Sequence, residues 1–345
     1  MSGADQAIPR FVIGTGRCGS TLLSKMLAKC PGLLMLDEFF AGIDRDSSFT
    51  GTQLSGKQFA HQLLHDRTTI ELIRTRYPLL MQAGAPTLVN RTVPPFLSGN
   101  QSIPALCVAL AGAAQKMGLN PFLLTGRATR FLETLSEQPF AAHCRTLFDW
   151  LAQQSGSVRG WCERSGASLE FLGDLVESFP QGRFLHLHRD GLHTALSMHA
   201  HPIFALQISL RLKPMLAEEA QLAASPPVDI SVDPIVRRLT AEAPTVEDCG
   251  RYWSSAVMSG AHAAAGLGKD RYMDIRYEDL VADPLRYLES IADFFALDSR
   301  QAWLREAAAL ADSGASAKRL PSLSPHALAA LQAACLPGQQ LLGRA

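Results

Sequence analysis

The sequence predicts an α/β protein with a doubly wound, mainly parallel sheet, and three observations carry that prediction. Short apolar runs of strand character recur at 10–14, 33–37, 158–163, 183–188 and 271–276. Segments with apolar residues at helical spacing lie between them, and strand alternating with helix is the pattern of a parallel sheet covered on both faces. The first strand runs directly into a glycine-rich turn and a helix, an arrangement suited to seating a phosphate. The 345 residues contain no internal repeat, and 47% apolar content supports a sizeable core, so residues 1–345 are expected to form a single domain. Two long stretches break the rhythm, about 40–157 and 202–250; they read as helical insertions, the second a lid broken at Ser225-Pro226-Pro227 and Pro244.

The first element is Phe11-Val12-Ile13-Gly14-Thr15-Gly16-Arg17-Cys18-Gly19-Ser20-Thr21-Leu22-Leu23. Glycines let the backbone turn tightly and bring its N–H groups close to an anion, and the following helix adds the partial positive charge of its N-terminus. Leu22, Leu23, Met26 and Leu27 supply the helical spacing, and Pro31-Gly32 the stop. Gly14, Gly16 and Gly19 also spell a dinucleotide fingerprint, with Asp37 and Glu38 about 20 residues on, where a ribose-binding acid is expected. A P-loop reading fails at position 20, where Ser stands in place of Lys. What remains is a loop with its cation, Arg17, inside the turn and the hydroxyls of Ser20 and Thr21 after it.

The second strand ends on Asp37 and Glu38, whose side chains should face opposite ways if the strand continues. The third carries Trp161-Cys162-Glu163-Arg164-Ser165, where Glu163 and Arg164 could pair as neighbours. The fourth, Arg183 to His188, passes through Arg189-Asp190-Gly191 into a helix with Thr194, Leu196 and Ser197. Ser197 stands about two turns beyond Arg189, so the guanidinium could fold back to meet it at one phosphate. The fifth is Arg271-Tyr272-Met273-Asp274-Ile275-Arg276, leading into Tyr277-Glu278-Asp279-Leu280. A helix follows over 284–296, with Asp283 as cap, Pro284 first, and Leu285, Leu288, Ile291, Ala292 and Phe295 on one face.

Three of these elements resemble the nucleotide site of PAPS-dependent sulfotransferases, in the same chain order. Arg17 to Leu23 is similar to that family's 5′-phosphosulfate loop, with Cys18 in place of its usual Ser; Arg189 and Ser197 match its 3′-phosphate pair; residues 271–280 are close to its R-Y-E-D-L segment. The resemblance implies a P-loop NTPase-like sulfotransferase fold, with Arg17, Cys18, Gly19, Ser20, Thr21 and Leu22 at the phosphosulfate, Arg189 and Ser197 at the 3′-phosphate, and Tyr277 at the adenine. It also implies a basic loop over the nucleotide, here Lys318 and Arg319, which would otherwise be ordinary surface charges. Glu38 lies 21 positions beyond Arg17, the spacing of the base in tyrosylprotein sulfotransferases, with Asp37 the neighbour to weigh against it. Arg164 takes the place of a Lys that helps hold the sulfuryl group, but Gly166 replaces the Pro usual there.

The implied reaction moves a sulfuryl group from 3′-phosphoadenosine 5′-phosphosulfate to a hydroxyl of an acceptor, with Glu38 as general base and Arg17 balancing charge on the leaving phosphate; the scheme needs no metal. The acceptor, whether small molecule, lipid, carbohydrate or peptide, is left open. Two other classes remain: an NAD(P)-dependent oxidoreductase built on the glycines and Asp37, and a nucleotide-binding protein without activity. The five histidines from His186 to His201 sit at mixed spacings without cysteine or carboxylate around them, which disfavours metal. His188-Arg189-Asp190 echoes a kinase catalytic loop, but Ala195 replaces the metal-binding Asn. A formal net charge of zero argues against nucleic acid, and no apolar run is long enough to span a membrane. Seven scattered cysteines without a C-x-x-C pair suggest reduced thiols in the cytoplasm, and Cys18, in an electropositive loop, is expected to be the reactive one.

Overall fold

The computed structural model describes residues 8–42, 48–65, 105–212, 243–297, 301–312 and 323–343. The chain opens with β1 (Arg10–Ile13), α1 (Ser20–Leu27) and β2 (Leu34–Asp37). The first insertion then supplies β3 (Gln53–Leu54), α2 (Gly56–His65), α3 (Ala105–Ala109), α4 (Ala111–Lys116), α5 (Pro121–Leu132), β4 (Gln138–Pro139) and α6 (Phe140–Gln154). The sheet resumes with β5 (Trp161–Arg164), α7 (Leu172–Ser178), β6 (Arg183–His188) and α8 (Gly191–His199), and α9 (Pro202–Leu212) follows. The last segments are α10 (Val246–Ala264), β7 (Tyr272–Arg276), α11 (Tyr277–Ala282), α12 (Pro284–Phe294), α13 (Gln301–Asp312) and α14 (Pro325–Leu341).

Five strands form one parallel sheet in the order β2-β5-β1-β6-β7, while β3 and β4 pair antiparallel in a sheet of their own. The chain leaves β1 toward one edge for β2 and β5, then crosses to the other for β6 and β7. Such a reversal opens a crevice beyond the carboxyl ends of the strands, and the loop after β1 lies there. The expected α/β class and parallel sheet are thus present. β5 begins at Trp161, later than expected, because the preceding residues turn: Ser157 N–H donates to Ala152 O (2.8 Å) and Gly160 N–H to Ser157 O (3.1 Å).

Alternation along the strands divides the core into two layers. Phe11, Ile13, Leu34, Leu36, Trp161 and Phe184 face the insertion helices together with α7, α8, α10 and α14. Val12, Met35, Cys162, Leu185, Leu187 and Ile275 face α1, α12 and α13. Phe11 anchors the first layer, its ring stacked on Phe184 (centroids 5.2 Å) and edge-on to Trp161 (5.7 Å). The Trp161 indole N–H is satisfied by Asp149 Oδ1 at 2.7 Å, which lets a polar tip sit inside the layer.

α12 forms as its sequence dictates. Asp283 accepts the Arg286 N–H (3.4 Å), Pro284 opens the helix, and Leu288, Ile291, Ala292 and Phe295 are fully buried, whereas Leu285 stays exposed. The stretch 202–250 is less lid-like than expected at its end. α10 already starts at Val246, where Thr245 and Asp248 form a reciprocal capping box that fixes its first turn. Ser225-Pro226-Pro227 lies outside the described residues. No helix among the described residues is long and apolar enough to cross a membrane.

Candidate active site

After Ile13 the backbone reverses through a loop pinned at its base and strained at its crest. Ser168 Oγ accepts the Gly14 N–H (3.2 Å), and the Gly14 carbonyl accepts the Leu169 N–H (3.1 Å). Gly16 (φ +76°), Arg17 (φ +56°) and Gly19 (φ +95°) then adopt left-handed conformations. For Arg17, which carries a Cβ, that conformation costs about 1–3 kcal/mol and persists only because the surroundings impose it. Gly19 caps α1 without a side chain, so the first N–H groups of the helix, at Ser20 and after, lack intrahelical partners and present partial positive charge. Two rings press on this backbone: a Cβ at Gly16 would lie 2.2 Å from Phe204, and one at Gly19 would lie 2.2 Å from Tyr277.

Cys18 does not behave as its position suggested. It is fully buried, with its sulfur turned inward so that a Cβ on Gly14 would meet it at 2.7 Å. Burial pushes its thiol pKa up, and hydrogen bonds from the Ser20 backbone and hydroxyl only partly offset this. The expected reactive thiol is therefore a packing residue of the loop. Around it, Ser20 is buried, Thr21 is exposed, and Leu22 packs against the apolar layer of α1.

The cations gather beside this loop. Arg17 Nε donates to Ser197 Oγ (3.1 Å), joining loop to α8. Burial and, more weakly, Arg189 lower the Arg17 pKa. Arg189 itself lies over the Tyr277 ring, 5.0 Å from its centroid. Ser197 is thus engaged by the loop arginine, while Arg189 turns toward the tyrosine. Glu278 holds this arrangement: Oε1 accepts the Asp190 N–H (3.0 Å) and Oε2 accepts Arg276 Nε (3.1 Å), locking α11 against the start of α8. Among the described residues no carboxylate pairs with Arg17 or Arg189. Lys318 and Arg319 lie outside the described residues.

The carboxylates meet at one guanidinium. Arg164 binds Asp37 Oδ1 through Nε (3.0 Å) and Nη2 (2.9 Å), and its Nη1 pairs with Glu38 Oε1. Strand alternation alone would send the two acids apart. Glu38 escapes it because its backbone is left-handed (φ +60°), with its N–H given to the Arg164 carbonyl at 2.7 Å. Ser24 Oγ donates to Asp37 Oδ1 (2.7 Å) and Gly166 N–H donates to Glu38 Oε2 (2.8 Å), so the cluster spans α1, β2 and β5. Burial works against the Arg164 charge, but Glu38 and Asp37 outweigh it and hold the guanidinium firmly protonated.

Glu163 does not pair with Arg164 as adjacent charges might. It faces the opposite side of β5, almost wholly buried, and accepts from Ser165 Oγ, which in turn accepts the Phe40 N–H (2.9 Å). Burial pushes its carboxyl up to about 8, with Glu38 and Asp37 adding to the rise, which favours its protonated form. Two further residues were not anticipated. Phe204 covers Gly16, and His201 lies beside it with ring centroids 5.6 Å apart. Their only sequence signal was the position of His201 four residues after Ser197, on the same face of a helical turn.

Fold and site together define a three-layer α/β protein with a cationic, helix-capping loop at the crevice of a parallel sheet and a carboxylate–arginine cluster behind it. A model of the sulfotransferase family matches residues 235–301, the stretch that holds α10, β7, α11 with Tyr277, and α12. Among solved structures, the chain is similar to the sulfotransferase domain of the Synechococcus PCC 7002 olefin synthase, at 19% identity and TM-score 0.42 over 96% of both chains. It is also similar to the sulfotransferase STF1 of Mycobacterium tuberculosis H37Rv, at 18% identity and TM-score 0.42 over 96% of this chain and 77% of that one. A sulfotransferase from Alicyclobacillus acidocaldarius matches at 14% identity and TM-score 0.40, over 98% of this chain and 97% of that one. No curated protein matches the sequence.

Two substitutions check this geometry. Gly19→Ala meets both a positive φ and the Tyr277 ring, and should cost about 1–3 kcal/mol by denaturant unfolding, while Gly112→Ala, on an open helical site, should be neutral or stabilising. Glu163→Gln tests the buried carboxyl. In the unfolded chain Glu163 ionises near its ordinary value, but in the fold it keeps its proton until about 8, so its contribution is complete at low pH and lost as pH rises through that window. The variant should therefore gain stability relative to the parent between pH 5 and pH 8; equal pH profiles would refute the assignment.

Proposed function

We propose that this chain is a sulfotransferase that takes 3′-phosphoadenosine 5′-phosphosulfate as donor and a hydroxyl compound as acceptor. The observation that carries this reading is the convergence of Arg17, Ser197, Arg189 and Tyr277, from three distant parts of the sequence, around the N-terminus of α1. The family match over 235–301 supports it. In this reading the N–H groups at Gly19, Ser20 and Thr21, with Arg17, hold the 5′-phosphosulfate; Arg189 and Ser197 hold the 3′-phosphate; Tyr277 borders the adenine. The acceptor oxygen attacks sulfur in line, its proton passes to Glu38, and the bond from sulfur to the phosphate oxygen breaks, leaving charge beside Arg17 and the helix N-terminus. Arg164 and Gly166 N–H fix the Glu38 carboxylate, so Arg164 acts on the base as well as on the sulfuryl group.

The scheme uses no metal, and residues 1–345 act as one domain whose insertions receive the acceptor. A cytoplasmic setting is part of this reading, and the seven cysteines are all buried. A dinucleotide oxidoreductase is the weaker reading, because the Asp37 carboxylate it needs for ribose is bound by Arg164 and Ser24.

Adenosine 3′,5′-bisphosphate at about 100 times its Kd should stabilise the protein by roughly 2.7 kcal/mol without magnesium, read as a rise in Tm. A rise with NAD and none with the bisphosphate would favour the oxidoreductase. Arg189→Ala should weaken bisphosphate binding by about 2–4 kcal/mol yet change adenosine 5′-phosphosulfate binding little. In an acceptor screen with labelled donor, Glu38→Gln should lower kcat by about 10²–10⁴-fold with bisphosphate affinity kept, and Asp37→Asn less. Binding without turnover for any acceptor would leave a nucleotide-binding protein.

A further inference from the structure

His201 has no place in the scheme above, yet its surroundings are unusual. The chain runs from α8 through Ala200, still in helical conformation, to His201, whose N–H donates to Met198 O at 3.0 Å. Ser197 and His201 therefore share a face. Ser197 accepts from Arg17, and His201 lies beside Phe204, whose ring covers Gly16, so the imidazole packs on the ring that covers the loop. Its Nδ1 is buried and has no hydrogen-bond partner among the described residues. A buried polar atom without a partner is uncommon and asks what it is for.

We propose that His201 is a further contact for the anionic group held at Arg17 and Ser197, and that it takes up a proton when that anion enters. Burial, and then the charge of Arg17, press the free imidazole toward its neutral form, down to about 4. Arg17 is the charged group that acts on it. Ser197 and Phe204 are uncharged, Arg189 acts on Arg17, and Arg211 further along α9 is paired with Glu170. An arriving phosphate or sulfate offsets the Arg17 charge, and a turn of the imidazole ring would bring the buried, orphan Nδ1 to it as a donor. Both changes favour the imidazolium, which donates from both nitrogens.

This inference rests on the nucleotide reading, and calorimetry separates the two. Binding of adenosine 3′,5′-bisphosphate is measured at pH 6.0 in buffers of different ionisation enthalpy, for the parent chain and for His201→Gln. With the bound imidazole at or above its ordinary value near 6.5, the parent should take up about 0.8 proton more per site than the variant. Its affinity should also rise about tenfold more between pH 7.5 and 5.5 than the variant's. The ligand's own phosphates protonate alike in both and cancel. Should His201→Gln fold poorly, the histidine Cε1–H resonances of the parent carry the test: one should titrate below pH 5 in the free protein and above pH 6 in the complex. Bisphosphate binding with equal proton uptake, or with no histidine resonance moved, overturns the role of His201 alone; no bisphosphate binding at all overturns it together with the nucleotide reading.

Discussion

The site depends on a buried charge that must be paired. Arg164 is 8% exposed at its side chain, and a guanidinium at that depth is tolerated only with well-placed counter-charge. Asp37 and Glu38 supply it from one strand end, and the pairing dictates much else. It requires the left-handed backbone at Glu38, draws Ser24 of α1 onto Asp37, and sets the Glu38 carboxylate against the Gly166 N–H. Two acids around one arginine leave an excess negative charge, and a third carboxylate, Glu163, lies on the same strand. The raised pKa of Glu163 favours its neutral form, which limits repulsion with the two acids at the end of β2.

The other half of the site has the opposite imbalance. Arg189 stands near enough to disfavour the charge on Arg17, and both lean on neutral partners, Ser197 and the Tyr277 ring. A protein that places cations together in this way, next to a helix N-terminus, has a site whose electrostatics are completed by an anion. The negative cluster lies on the opposite flank of the loop, reached through Arg164, which acts on the Cys18 thiol at the loop's centre. The proposed reaction, with donor phosphates on one side and a proton acceptor on the other, fits this division.

How much of this could be read from residues alone follows the range of the interactions. The five strands, the turn at Gly14–Gly19 and the capped helix after Asp283 are local, written in alternation, spacing and cap chemistry, and they appear where the sequence puts them apart from the late start of β5. The meeting of Arg17 with Ser197 joins residues 180 apart, and only the crossing of the sheet from β1 to β6 brings them together. Cys18 was misjudged because its loop context suggested an exposed thiolate, whereas its depth was visible only in three dimensions. Alternation likewise gave no hint that Asp37 and Glu38 would share a partner, since one left-handed residue is enough to undo it. The insertion over 40–157 had helical composition but nothing to order its helices.

Gly166 shows how a departure from a familiar pattern can be compensated. The resembled family carries Pro at this place, and a proline has no N–H. Here the Gly166 N–H is one of two anchors on Glu38, the other being Arg164, and an added Cβ at this position would come no closer than 3.4 Å to the carboxylate. The glycine is therefore a matter of the donor more than of space. A carboxylate that accepts both a backbone N–H and an arginine is fixed in direction. Arg164 is divided between two acids: its bonds to Asp37 occupy Nε and Nη2 and leave Glu38 a single guanidinium nitrogen, so one cation sets the direction of both carboxylates.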